Sequence, residues 1–433
     1  MLRLAARPAH FRRTPGGLHR EGDHHRQPLA NNSFVKLIQR TLSSVLILFS
    51  SLGAHGHLFP LLPLARAAVR AGHRVKFATT GGFHEVLAGI GVEPVVAGAG
   101  MRDFASQVLP PGKSPRDLAD AEGTPIIARL FGDLLARSFA TDVAGLIEQE
   151  RPDLVVQELA NPGAGIAARA AGVPVLCHGF GRMSTGSEMP KLMVGHLRGV
   201  AAEHGVDLGD VDADAGDDSP FLLGNPYLDI CPPSLRDPSF SVPGTIPLRP
   251  VPFATPGELP AIATAPRDKP LVYLTLGTAF GHAEVFRAAI DGLASLDAHV
   301  LVAAGPAVET AALGEVPDNV SLHAWVPQAD LLPHVDLVVH HGGSGTTMGA
   351  LGAGVPQLVL PQGADQFSNA EAVVAAGLGE RLIGDEVAAE AVASAARGLL
   401  VSEEVAVAAK AVAAEIAAMP SPDEVAARLP GLI

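Results

Sequence analysis

Two histidines, His55 and His57, stand in the stretch GAHGHLFP, where a short apolar run gives way to a helical pattern. Imidazole is the side chain whose ordinary pKa lies nearest neutrality, so either could take the proton of a hydroxyl as that hydroxyl attacks a carbon centre. A polar cap at the start of a helix is the competing reading of both. Far downstream, HHGGSGTTMGALGAGVPQLVLP (340–361) sets six glycines behind the apolar run VDLVV. Here Gly342-Gly343-Ser344-Gly345 joins a predicted strand to a helix expected to begin near Thr346 or Thr347. Free N–H groups and the positive end of a helix dipole suit an anion in that place, and His341 adds a donor beside them.

Known phosphate loops narrow the choice of anion. A nucleoside-triphosphatase loop ends G-K-[ST], but Gly345 is followed by Thr346 with no lysine. A dinucleotide fingerprint needs a third glycine where Met348 stands, and belongs at the first turn of its domain. Other groups nearby fit a different nucleotide ligand. Trp325, the sole tryptophan, offers an aromatic plane for a base in HAWVPQADLLPH, with Gln328 close behind. Asp365 and Gln366 follow the predicted strand PQLVLP and suit sugar hydroxyls, or else cap a helix. Gly277 and Thr278 close another strand with a small turn that leaves backbone N–H groups free.

The elements that must hold these residues alternate. Val45–Phe49 reads as a buried strand, 60–73 as a helix and RVKFATT as the next strand. A helix near 126–148, the strand DLVVQELA (153–160), PVLCHG and a helix near 192–204 continue the series. Short apolar runs bounded by glycine, with helices between them, indicate parallel sheets covered on both faces. The segment 241–270 is too rich in Pro and Gly for a long helix or a central strand, which makes it the best domain boundary. Beyond it come LVYLTLGT, helices near 283–296, 369–376 and 402–418, and the strands HVLVAAG, VSLHAW, VDLVVHH and PQLVLP. The expected class is α/β, with two facing doubly wound domains: a leader over 1–42, a first domain over 43–240, the Pro-rich linker over 241–270, a second domain over 271–415 and a final segment over 416–433. Ligands in such folds sit beyond the carboxyl ends of the strands, so a cleft between the domains is the expected site.

Composition excludes several classes. The chain has 433 residues, 48% hydrophobic and 18% charged, enough for more than one core. A formal net charge of -14 opposes a nucleic-acid or anionic-membrane surface. Two separated cysteines, Cys177 and Cys231, suggest neither a disulfide framework nor a cysteine metal site, and fit a reducing, cytoplasmic compartment. The leader is rich in Arg and His. It reads as a disordered extension or a non-native start rather than as a secretory signal, because the apolar core Val45–Phe49 is short. No run of about 18 apolar residues marks a membrane span.

The W-x-P-Q of Trp325–Gln328, the H-G-G-x-G-T of 341–346 and the D-Q-x-x-N-A of 365–370, taken with GHLFPLLPLA, resemble the GT-B nucleotide-sugar-dependent glycosyltransferases. Within them the chain is most similar to the bacterial branch acting on macrolides, enediynes and aromatic polyketides. The resemblance spans about 43–420. It implies that His341, Gly343, Ser344, Gly345 and Thr346, with Thr278, hold the donor diphosphate. It also implies that Trp325, Val326 and Gln328 hold the base and ribose, and that Asp365 and Gln366 hold the sugar. It selects His57, three residues before Pro60, as the catalytic base, with His55 as runner-up. The family's partner aspartate falls at Glu158, a departure that keeps the charge on a longer arm.

A single displacement with the base opposite the leaving group inverts the anomeric centre. If the helix end and His341 meet the diphosphate charge, neither a dedicated acid nor a metal is needed. The Asp-x-Asp in DADAG (212–216) reads as solvated surface. By resemblance the donor is a TDP- or UDP-sugar, with TDP favoured for this branch, bound as co-substrate, with no tightly held cofactor. The acceptor is a small hydrophobic aglycone lined by Phe83, Phe131, Phe180, Met183 and Met189, from the loops 83–87, 101–139 and 180–189. A homodimer is the candidate assembly. Two rivals remain: a UDP-sugar epimerase of the same fold, and a non-catalytic nucleotide-sugar-binding accessory protein.

Overall fold

The structure, a computed structural model, describes residues 44–109, 120–183, 188–208, 224, 226–278, 283–306 and 308–433. The leader and the DADAG turn lie outside the described residues, as does the side chain of Met189.

The apolar runs form two all-parallel sheets. The first contains β1 (Leu46–Ser50), β2 (Arg74–Thr79), β3 (Glu93–Val96), β4 (Leu154–Glu158), β5 (Val175–His178), β6 (Tyr227–Asp229) and β7 (Ile246–Pro247), in the order β3-β2-β1-β4-β5-β6-β7. The second contains β8 (Leu271–Thr275), β9 (His299–Ala303), β10 (Val320–His323), β11 (Leu337–His340), β12 (Gln357–Val359) and β13 (Gly379–Arg381), in the order β10-β9-β8-β11-β12-β13. Strands β1, β4, β8 and β11 are buried at every position, which explains why they read as continuous apolar runs rather than as alternation.

Each half has a Rossmann-like winding that reverses direction once. The reversal lies between β1 and β4 in the first sheet and between β8 and β11 in the second. Where the connections diverge, the carboxyl ends of the two strands leave a crevice, and such a crevice is where ligands bind in this class of sheet. The GAHGHLFP turn follows β1, and Glu158 ends β4. Likewise Gly277 and Thr278 follow β8, and the glycine run follows β11. The topology therefore puts the chemically interesting residues at both crevices.

Several elements differ from the sequence reading in instructive ways. The helix after the glycine run spans Ser344–Ala353 and starts two residues earlier than expected, with Gly343 as its N-cap. The helix expected near 369–376 spans Gln366–Ala375, so Asp365 is its N-cap. The long helix near 126–148 is a continuous run of Asp120–Arg129, a π-helical turn at Leu130–Leu135, and Ala136–Glu150. The Pro-rich stretch contributes β7, a two-residue strand whose Pro247 is tolerated because it sits at the sheet edge.

The chain's last elements return to the first sheet. Val425, Ala426 and Leu429 are buried in the same core as Ile47, Phe49 and Leu62, and Arg70 pairs with Asp423 at 2.6 Å. The stretch Glu403–Ala426 has the length and mean hydropathy (1.2) of a membrane span. Its Val412 and Ile416 are buried against Met348 and Leu351, and a capping box at Ser421 interrupts it. It is therefore two helices, the first of which packs one face on the second half.

Candidate active site

His57 sits in the short helix His55–Leu58 that follows β1. Its Nδ1 lies 3.2 Å from Oε1 of Glu158, the last residue of the neighbouring β4. That distance pairs the charges, although the angle falls outside the range of a formed hydrogen bond. Catalytic pairs often tighten only when substrate is bound. Glu158 is fully buried, and its Oε1 accepts the Ala160 N–H at 2.6 Å. Burial pulls the His57 imidazole down, but the charge and oxygen of Glu158, with added charge from Asp365, raise it above the ordinary histidine value. With its side chain about 20% exposed, His57 is still open to a reactant.

Two aromatic rings flank His57. Phe180 lies 5.3 Å away edge-on, and Phe131 lies 6.1 Å away, carried on the π-helical turn. Met183 packs against the same buried cluster as both Phe residues. Phe83 is elsewhere. It contacts His55 at 5.0 Å, as Phe59 does at 4.9 Å. His55 also touches Trp325 of the second half at 5.5 Å. No carboxylate lies within ion-pair distance of His55 among the described residues, and burial lowers its pKa. Both histidines have aromatic neighbours, but of the two only His57 has a carboxylate partner among the described residues.

On the other side of the cleft, the glycine run holds His341 in a slot. A Cβ on Gly277 would come within 2.5 Å of the His341 ring, and one on Gly343 within 2.3 Å of its Nε2. Only glycine on both sides admits the imidazole. Burial brings His341 down to about 4, so near neutral pH it is an uncharged donor rather than a cation. In the first turn of the helix, Thr346 and Thr347 donate their N–H groups to the Gly343 carbonyl. Ser344 and Gly345 precede any intrahelical acceptor, so their N–H groups are free to meet an anion.

Asp365 and Gln366, expected at the sugar, stand beside this cradle. The Ser344 hydroxyl donates to Asp365 Oδ2 at 2.6 Å, so Ser344 can offer a ligand its backbone more readily than its side chain. Gln366 is buried, and its Oε1 accepts N–H bonds from Gln362 and Gly363. Between them Ala364 adopts φ 53°, a strained value for a residue with a side chain. Trp325 is 46% exposed, Val326 is buried, and the Gln328 Oε1 accepts from Thr346 and Tyr273. Gln328 thus links the turn after Trp325 to the cradle. Thr278 stands one residue beyond Gly277, partly exposed.

Two residues that the sequence reading passed over hold the cradle's shape. His340 is fully buried and accepts the Gly342 N–H on Nδ1 at 3.1 Å, leaving Nε2–H for Gln357 Oε1 at 2.9 Å. Burial, with His341 beside it, brings His340 down to about 3, so the ring is neutral and its two hydrogen bonds fix its tautomer. Asn369 donates to the Gly342 carbonyl at 2.9 Å and to Asp365 Oδ2 at 3.0 Å. Its i+4 spacing from Asp365 was the available signal, since that spacing stacks the two on one helix face. No group of three or more His, Cys, Asp or Glu residues able to hold a metal occurs among the described residues.

The family described as "Erythromycin biosynthesis protein CIII-like, C-terminal domain" matches residues 287–432. The L-demethylnoviosyl transferase of Streptomyces niveus is 35% identical over 350 residues, covering 77% of this chain and 84% of that protein. The elloramycin glycosyltransferase ElmGT of Streptomyces olivaceus is 34% identical over 398 residues, covering 87% and 94%. Among solved structures, the glycosyltransferase SsfS6 of Streptomyces sp. SF2575, complexed with thymidine diphosphate, superposes with a TM-score of 0.72. It is 26% identical, with 90% of this chain and all of that one covered. The chain belongs to the GT-B glycosyltransferases of bacterial natural-product biosynthesis, enzymes that move a sugar from a nucleotide sugar to an acceptor.

Proposed function

We propose that the protein is an inverting hexosyltransferase that moves a sugar from a TDP-sugar to a hydroxyl of a hydrophobic aglycone. The observation that carries this reading is the pairing of His57 Nδ1 with Glu158 Oε1 at 3.2 Å at the crevice of the first sheet. His57 takes the hydroxyl proton. The hydroxyl oxygen attacks the anomeric carbon from the side opposite the diphosphate, whose bond to the sugar breaks with the electron pair leaving on the phosphate. Glu158 balances the imidazolium that forms.

The leaving diphosphate is met by the N–H groups of Gly343, Ser344 and Gly345 and by His341 as a neutral donor, with Thr346 and Thr278 at its edge. This arrangement stabilises the departing charge without a metal. Trp325 stacks on the base, while Gln328 and the backbone at Val326 read its edge or ribose. Asp365 and Gln366 position the sugar. Phe131, Phe180 and Met183 line the acceptor side. Thymidine diphosphate in SsfS6, at the same fold, supports TDP as the nucleotide.

The test supplies TDP- and UDP-sugars with a panel of polyketide aglycones and follows glycoside by mass. The expected result is a glycoside formed from a TDP-sugar, with its anomeric configuration inverted by NMR. A donor that binds yet is neither transferred nor hydrolysed would show a binding protein instead.

A further inference from the structure

The loop that follows β5, Gly179–Met183, touches His57, the acceptor side and the donor cradle. Phe180 lies 5.3 Å from the His57 ring, and Met183 packs on the acceptor side against the same buried cluster as Phe131. Gly181 is buried against the donor cradle: a Cβ on it would meet Ser344 Oγ at 2.0 Å and Ser344 Cβ at 2.5 Å. Arg182 reaches further into the second half, where its Nη1 donates to Ser368 Oγ at 2.8 Å. Ser368 stands on the helix Gln366–Ala375, whose N-cap is Asp365.

Arg182 is also held by the segment after β6. Its Nε donates to the Leu235 carbonyl at 2.8 Å, and Asp237 lies 3.8 Å from Nη2. Leu235 is buried in the cluster that contains Met348, Leu351 and Ile416. A guanidinium fixed at two corners points its third toward Ser368 without losing rotamer freedom in the act, which favours a single docked arrangement.

We propose that Arg182 is a positioning residue, which docks the Gly179–Met183 loop onto the sugar-side helix and so couples closure of the cleft to sugar transfer. This inference rests on the transferase reading given above. With the loop docked, Phe180 shields His57 and the anomeric carbon meets the acceptor hydroxyl. With it undocked, water reaches the same carbon. The water oxygen then forms the new bond as the sugar–diphosphate bond breaks, the nucleoside diphosphate leaves with the electron pair, and the water proton passes to His57. The products are free sugar and nucleoside diphosphate in place of glycoside.

The experiment measures glycoside and free sugar in one reaction for the full-length wild type, Arg182→Ala, Ser368→Ala and the double variant. TDP affinity is measured in parallel by calorimetry. The expected result for Arg182→Ala is a rise on the order of tenfold in the hydrolysed fraction, as loss of a charge-assisted hydrogen bond predicts, with TDP affinity changed less than about twofold. Ser368→Ala should reproduce this in part, and the double variant should add nothing to Arg182→Ala. An unchanged hydrolysed fraction, or a loss explained wholly by weaker TDP binding, overturns the proposal.

Docking is also read without substrate. Gly181→Ala forces a carbon into Ser344 and should raise the radius of gyration in small-angle X-ray scattering, as should Arg182→Ala. Equal radii for both variants and wild type overturn the docking role. Larger radii in a protein that transfers no sugar leave the docking in place and sink the transferase reading.

Discussion

Replacing Glu158 with Gln keeps the length and shape of the side chain and removes its charge. At 3.2 Å, a pair of unit charges is worth about 5 kcal/mol at an effective dielectric near 20. The burial that pulls His57 down offsets part of this, which leaves about 2–4 kcal/mol for the imidazolium formed as the hydroxyl is deprotonated. The expected cost is a fall of about 30- to 1000-fold in kcat/KM for glycoside formation. The base acts only when neutral, so transfer should rise with pH through the His57 pKa. That midpoint lies above 6.5 in the wild type, because Glu158 and Asp365 outweigh burial, and moves lower in the variant. The assay is initial glycoside rate against pH, with TDP titrated by calorimetry. Wild-type rates and an unmoved midpoint in Glu158→Gln would refute the role of this pair.

Three further outcomes follow from the same geometry. Trp325→Ala should weaken TDP binding by about 10- to 100-fold, the usual worth of one stacked base, and leave kcat nearly unchanged; calorimetry with TDP reads it. Gly343→Ala should press a carbon against His341 Nε2 and lower TDP affinity at least about tenfold, with a drop in Tm from overpacking. Because the folded His57 value is raised, the pair's stabilisation is fully present below the unfolded value of 6.5 and fades as pH rises through the folded one. The Tm gap between wild type and Glu158→Gln should therefore be larger at pH 6 than at pH 9.

Much of the architecture is legible in the sequence because parallel strands buried on both faces must be apolar throughout, as LVVQE and LVVH are. The crevices follow from topology, and a glycine run after such a strand marks a close backbone approach. What periodicity cannot give is register in a turn. Gly343 takes the cap position, so Ser344 rather than Thr346 opens the helix and Ser344's hydroxyl turns to Asp365. Nor does spacing reveal the π-helical turn that aims Phe131 at His57, because one extra residue per turn leaves no compositional trace. The Arg182–Ser368 bond joins residues 186 apart, beyond any local pattern. Glu158 illustrates the opposite limit: its long arm reaches His57 at 3.2 Å while also accepting the Ala160 N–H, a geometry that only coordinates can supply.

The direct test of the whole account is His57→Ala beside wild type and His55→Ala, each given a TDP-sugar and an aglycone that the wild type glycosylates. The account predicts that His57→Ala loses transfer by about 100- to 10,000-fold while still binding TDP, and that His55→Ala retains it. Full transfer by His57→Ala, with transfer abolished in His55→Ala, would contradict it.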